Sequence, residues 1–394
     1  MITVTAAKEL IRTNCQALSP VTMPLLQAAG KTLAHDIWAP NDIPAFPQSS
    51  MDGYAISYKS WKTYGLLDLF GEIAAGRGDS IELPDGKAFR IFTGAPVPFG
   101  ADTVVMQEKC RVVEDELSID DPSLKAGDNV RPVGSEISKG ALALEKGTLL
   151  TPAAIGFLAG IGITEVSIYP SPSISIIVTG NELQTPGNPL SYGQVYESNS
   201  LTLSAALQQL SLHLKETYRV EDQLETLTKT LGHAIEQSDI VLITGGISVG
   251  DYDFTLKAAM QCGAETVFHK IKQKPGKPIL FAKKGTKLVF GLPGNPASVL
   301  TCFYEYVLLA ISMLQNRSVT LAKKTAPLEK EIKKPAGITH YLKGHFNGTT
   351  VLPLDGQESY KLNSFAKANC LIMLPEEVTQ CQTGEAAEIH LLPQ

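Results

Sequence analysis

No two of the six cysteines form a C-x-x-C pair, and none stands near an H-x-x-x-H spacing. That argues against a disulfide framework and a cysteine-ligated zinc site, and leaves the thiols to be buried or idle. Basic excess is also missing: net charge is −6, so the surface has no general attraction for nucleic acid or acidic membrane. Any anion must be met by local positive groups in a cleft. No apolar run looks long enough to span a bilayer, which takes roughly 20 residues. The start, MITVTAAKEL, lacks the basic-then-apolar order of a secretory signal, so a cytoplasmic location is expected. No Ser-His-Asp order, G-x-S-x-G elbow, Walker loop, internal repeat or low-complexity tract is found. At 394 residues, 44% hydrophobic and 19% charged, the chain has the composition of several ordinary globular domains.

Periodicity divides the chain. Residues 5–36 read as helical, with Ala6, Leu10 and Ile11 on one face and Gly30 as a stop. Residues 41–136 are rich in Pro and Gly, with short alternating runs, and read as a small all-β module. Helix returns at Thr151-Pro152, where Thr can cap and Pro can take the first helical position. The economical reading inserts the β module between two halves of one helical domain. From Ser173, apolar strands (174–179, 239–244, 277–282, 287–291) alternate with helices (199–210, 223–237, 295–314). That pattern means a parallel sheet with helices on both faces, and ligands outside the carboxyl ends of its strands. Residues 325–394 return to short β runs and predict a small barrel or sandwich.

Three loops occupy the ligand-binding edge of that sheet: Thr179-Gly180-Asn181-Glu182-Leu183, the stretch from Thr244 through Gly245, Gly246 and Ser248 to Asp253, and Leu292-Pro293-Gly294-Asn295-Pro296. Glycines at a strand end let backbone N–H groups approach a phosphate, and a helix starting after Pro293-Gly294 offers its positive end. Each loop alone is more often a tight turn than a phosphate cradle; three on one edge favour a nucleotide or phosphate site. Lys270, Lys272, Lys274 and Lys277 form either an oxyanion site or a solvated basic face. Glu182, Asp222 and Asp253 lie in or near the same loops; acids beside a phosphate imply a mediating magnesium-type cation. His269 is the one histidine near these loops. By composition, residues 47–55 and 92–98 are turns.

Several of these segments together resemble the MoeA family, which includes the E domain of gephyrin and its plant relatives. They are PQSSMDGYA (47–55), GEIAAG (71–76), FTGAPVPFGADTVVMQE (92–108) and GDNVRPVGSEI (127–137). They continue with VTGNEL (178–183), TGGISVGDYD (244–253), KPGKP (274–278) and GLPGNP (291–296), in the family's order. The resemblance implies a multidomain α/β fold. Its parts would be a discontinuous, elongated helical dimerisation domain (1–40 and 137–170) and an inserted β domain (41–136). A doubly wound, parallel-sheet molybdopterin-binding domain (171–320) and a C-terminal β-barrel (321–394) would follow. It further implies insertion of molybdate into adenylylated molybdopterin with release of AMP, a divalent cation such as Mg2+, and a homodimer. The cleft would join the α/β domain of one subunit to the β domain of the other. Transient contacts with the molybdopterin-adenylylating enzyme and with molybdoenzyme maturation proteins also follow.

Carried over by motif, Asp52 and Thr93 would reach into the partner's cleft. Glu182, Asp222 and Asp253 would hold the cation and position substrate. Lys270 and Lys274 would bind molybdate and substrate phosphate, with Gly245, Gly246, Ser248, Pro293, Gly294, Asn295, Pro296 and Ser364 around the pterin ligand. Two positions depart from the pattern: Glu136 stands where the family usually has Asp, and Lys343 where it has Arg, which loses bidentate phosphate geometry. Two rivals are a scaffold that keeps the fold without the chemistry, and the adenylyltransferase step, whose enzymes share only the α/β domain.

Overall fold

The computed structural model describes residues 1–76, 80–247, 253–317 and 320–393. The chain divides into two compact units, residues 1–21 with 168–394, and residues 22–167.

In the larger unit the central sheet comprises β1 (Ile174–Thr179), β2 (Leu214–Val220), β3 (Ile240–Thr244), β4 (Glu265–His269), β5 (Leu280–Lys284) and β6 (Lys287–Leu292). Their order is β2-β1-β3-β6-β5-β4. The first four in that order are mutually parallel, with Ile177 opposite Ile243 and Thr244 opposite Leu292. Here the all-parallel expectation needs correction, because β5 runs antiparallel to both neighbours. Only Gly285 and Thr286 separate β5 from β6, enough for a hairpin and far too few for a crossover.

β1 and β3 are buried on both faces, which explains their unbroken apolar sequence. Ile174, Ile176, Ile240 and Leu242 pack with Leu203 and Leu207 of α2 (Asn199–Gln209) and with Ala7 and Ile11 of α1 (Val4–Asn14). Ile177, Val241 and Ile243 face Leu227 and Leu231 of α3 (Leu224–Gln237) and Ala258 of α4 (Phe254–Gln261). The helix leaving β1 therefore lies on one face and the helix leaving β3 on the other. Between these neighbouring strands the connections diverge and open a crevice at their carboxyl ends.

After β6, α5 (Pro296–Cys302) runs through a π turn (Phe303–Val307) into α6 (Leu308–Leu314). This 19-residue stretch is long and apolar enough to cross a membrane, which corrects the expectation that no run is, but 89% of its most apolar window is buried. It is the core helix of this unit.

Beyond it, a second sheet has the order Gln273–Lys274, Thr339–Phe346, Cys370–Leu374, Ala386–Leu391, Ala322–Pro327, with Val351–Pro353 also on Thr339–Phe346. Leu328, directly after Ala322–Pro327, bridges to Val351, and Glu329 N–H donates to Val351 O at 2.9 Å, so the hydrogen bonding returns through Val351–Pro353 to Thr339–Phe346 in a ring, as a small barrel requires. Cys370, Ile372, Leu374 and Ile389 form its core.

The smaller unit holds a six-stranded mixed sheet, ordered Thr103–Met106, Gly53–Ile56, Lys87–Ile91, Leu66–Ile73, Glu116–Ile119, Cys110–Val113. The β reading of this stretch agrees with it. The helical reading of residues 5–36 holds only for α1. Past it the chain forms strands Val21–Pro24, Thr32–Leu33 and Ile37–Trp38 and a 3-10 turn, Leu25–Ala28. Pro20 and Pro24 withhold the N–H groups a continuing helix needs. Thr151 does cap the helix Pro152–Gly160, its hydroxyl accepting from Ala154 N at 3.2 Å.

Candidate active site

At the carboxyl edge of the sheet, the loop after β3 presses on the end of β1. Gly245 sits at φ +90, and a Cβ there would stand 2.1 Å from the Thr179 carbonyl oxygen, so only glycine fits. Gly246, at φ +61, is bordered by Thr255, Thr179 and Asp222, whose Oδ1 lies 3.5 Å from the place a Cβ would take. Thr255 closes the turn from below, its hydroxyl donating to Gly245 O at 3.2 Å.

Asp222 follows β2. Its Oδ1 accepts from the Thr179 hydroxyl at 3.3 Å, and its N–H donates to Asn181 Oδ1 at 3.1 Å. Glu182 folds back over Gly180, where a Cβ would stand 2.9 Å from a Glu182 carboxylate oxygen. Asp253 caps α4, Oδ1 accepting from Leu256 N at 3.1 Å. Its Oδ2 lies 3.0 Å from His269 Nε2, an ion pair when the imidazole is protonated. Burial, aided by Lys270, holds the His269 pKa below its ordinary value against the pull of Asp253. Lys270 follows β4 on the same edge, at φ +68.

A hydrated magnesium needs only one or two carboxylates, with water and phosphate oxygens completing its six ligands. Asp222 and Glu182, both against glycine turns, suit that donor set. Asp253 does not, because one oxygen caps a helix and the other faces His269. Among the described residues no three potential ligands converge, so the expected trio is not assembled there.

The Pro293–Pro296 turn departs from expectation. Asn295 Nδ2 donates to Ser359 Oγ at 2.7 Å, Ala297 N–H donates to Ser359 O at 3.1 Å, and Pro296 has no N–H. Residue 359 thus covers the helix end expected to be open to phosphate, while Gly294 O accepts from Asn199 Nδ2 at 2.9 Å.

Lys274 stands apart from Lys270, at the junction with the second sheet, where it lines a cavity of about 510 Å3 with Lys333, His340 and Gln357. Ser364 turns its hydroxyl inward, donating to Gly356 O at 2.7 Å. Lys343 is buried, and its ammonium donates to Gly356 O (2.6 Å), Lys361 O (3.0 Å) and Glu358 O (3.3 Å). All three of its protons are used, so it braces the 356–361 loop and has none left for phosphate. Ser248 lies outside the described residues.

In the smaller unit, Asp52 Oδ1 accepts from Thr93 N at 2.7 Å and Thr93 Oγ1 at 2.8 Å, so this pair does come together. The turn is rigid: a Cβ on Gly53 would stand 1.8 Å from Val105 O. Arg90, which sequence reasoning passed over, donates to Gly53 O at 2.7 Å and Gln107 Oε1 at 2.6 Å, and packs over the Tyr54 and Phe92 rings. Its place three residues before Thr93 in a strand was the available signal.

A doubly wound sheet with glycine turns, acids and a lysine at its switch-point edge defines an α/β protein with a crevice at that edge. Comparisons with known proteins narrow that class. Residues 2–162 match the MoeA N-terminal region (domain I and II), 175–313 a probable molybdopterin binding domain, and 325–392 the MoeA C-terminal region (domain IV). A Haemophilus influenzae protein named molybdopterin molybdenumtransferase is 34% identical over 379 residues, covering 93% of this chain and 94% of its own. A Staphylococcus aureus protein of the same name is 33% identical, covering 96% and 93%. A solved MoeA protein from Pyrococcus horikoshii superposes with a TM-score of 0.86 at 29% identity, covering 99% of each chain. The chain belongs to the MoeA family.

Proposed function

We propose that this chain is a molybdopterin molybdenumtransferase of molybdenum cofactor biosynthesis, taking adenylylated molybdopterin and molybdate and releasing AMP. The observation that carries this reading is that Gly245–Gly246, Asp222, Glu182, the Asp253–His269 pair and Lys270 all stand along one sheet edge. It favours catalysis over the scaffold role, for which a close-fitted edge of this kind has no use.

The substrates are both anions and repel one another. Lys270 and Lys274 would offset that repulsion, and the bare backbone at Gly245 and Gly246 would admit the phosphates. Asp222 and Glu182 would hold a hydrated Mg2+, which supplies charge neutralisation at the phosphoanhydride. Asp52 stays ionised, its carboxyl held below the usual range first by the Thr93 N–H and then by the Thr93 hydroxyl.

The proposal includes the four-domain division drawn from the family, a cytoplasmic location, and a homodimer in which Asp52 and Thr93 complete the partner's cleft. Supporting the dimer, the helix Pro152–Gly160 has no charged residue and buries only Leu158. A soluble helix apolar all round is ordinarily covered. The direct test is reconstitution: purified protein with adenylylated molybdopterin, molybdate and magnesium should release AMP and yield active cofactor. Release no faster than without protein, with a competent family member as control, would sink the reading.

A further inference from the structure

The core helix changes register once, at the π turn Phe303–Val307, where all five side chains are buried. Such turns recur where a helix must aim consecutive side chains at separate tasks. Here Glu305 meets Lys8 at 2.5 Å and His390 at 2.6 Å, while the next residue, Tyr306, donates its hydroxyl to Gln273 Oε1. Gln273 is 1% exposed. Its Nε2 donates to Pro275 O at 2.9 Å and Gly276 O at 3.3 Å.

Those carbonyls belong to the turn that carries Lys274. On its other side, Gln273 and Lys274 pair with Thr339 and His340 of the second sheet. Gly276, at φ +87, leaves no slack: a Cβ there would stand 2.5 Å from Cys302 Sγ and 2.8 Å from Gln273 Nε2. The turn is thus pinned to the helix by the Gln273 amide and by the Cys302 thiol, which donates to Gly276 O at 3.7 Å, and the amide is oriented by the Tyr306 hydroxyl.

We propose that Tyr306 and Gln273 are positioning residues for Lys274. The hydroxyl selects the orientation of the amide, the amide fixes both carbonyls of the turn, and the turn sets where the ammonium meets an oxyanion. This rests on Lys274 binding substrate anion, as in the function proposed above, and assigns the precision of that contact to two buried groups that never touch substrate.

Tyr306→Phe deletes one oxygen and little volume. It should raise the KM for molybdate about 3- to 10-fold, with kcat within about twofold of the unsubstituted protein. The Kd for inorganic molybdate, read by titration calorimetry, should rise in parallel. In a Lys274→Ala background the same substitution should change neither constant, because the residue it acts through is gone. Gln273→Met is the second variant, read in the same way should Tyr306→Phe fold poorly. A lower melting temperature with unchanged KM and Kd would overturn the proposal, leaving a purely structural hydrogen bond. A KM rise that persists in the Lys274→Ala background would overturn it equally. The calorimetric arm needs no turnover, so absent AMP release in the unsubstituted protein strikes the proposed function and leaves this inference readable.

Discussion

Asp52 is the clearest case of a side chain prepared for work at its own expense. It is exposed, and its Oδ1 is committed twice to Thr93. Asp52→Asn would keep an acceptor for Thr93 and remove the charge. AMP release should fall about 100-fold in kcat/KM, while the melting temperature should move by no more than about 2 °C. His340 makes a prediction about pH. It is buried, and burial first, then Lys334 and Lys274, push its pKa down to about 4. In the unfolded chain the imidazole titrates near 6.5. Between those values the unfolded chain binds the extra proton, so stability is lost as pH falls from about 6.5 to 4. Allowing for solvent screening, His340→Gln should remove roughly 1 to 2 kcal/mol of that acid loss, measured as urea midpoints at pH 7 and pH 5. Glycine turns and acids could be read in the sequence, because their chemistry is local. The meeting of Asp253 with His269, and the inward turn of Lys343 and Ser364, could not, because each depends on what folds around the residue.

Elements were legible where one face or both were dry. β1 and β3 read as unbroken apolar runs, and α3 and the core helix as long periodic ones, and all four stand where expected. β2 went unseen because it is an edge strand, LKETYRV, largely exposed and carrying charge. That omission left Asp222 placed only near the edge loops, although it stands two residues past the strand beside β1. The direction of β5 was missed for a different reason: apolar runs state burial, not polarity, and only the two-residue link to β6 gave it away. The close fit of the loop after β3 against the end of β1 depends on Gly245. Gly245→Ala should force that loop off the strand end, costing about 2 to 4 kcal/mol in chemical denaturation. AMP release should be lost well below the denaturant midpoint, since the phosphate-facing backbone moves before the sheet melts. Full activity in that variant would mean the turn is not part of the site.

At the scale of the molecule, an amphipathic or apolar stripe announces that a helix has a partner without saying which. The sequence marks α1 as a helix, yet only the structure shows Ala7 and Ile11 in the core of the larger unit. The helix Pro152–Gly160 poses the same question with its cover missing, and Leu26, 79% exposed, belongs to the 3-10 turn packed on that helix. Under the proposed function this apolar face is buried by a second copy, and light scattering should give twice the chain mass of 42.3 kDa. The dimer makes a sharper demand. If Asp52 completes the partner's cleft while Asp222 serves its own, Asp52→Asn and Asp222→Asn damage opposite halves of every site. Each variant alone is then nearly inert. Unfolded together and refolded at equal concentration, half of the dimers are mixed, and each mixed dimer has one of its two clefts intact. About a quarter of the unsubstituted AMP release should return. Were both residues to serve a cleft built by a single chain, every chain in the mixture would still carry one lesion, and mixing would restore nothing.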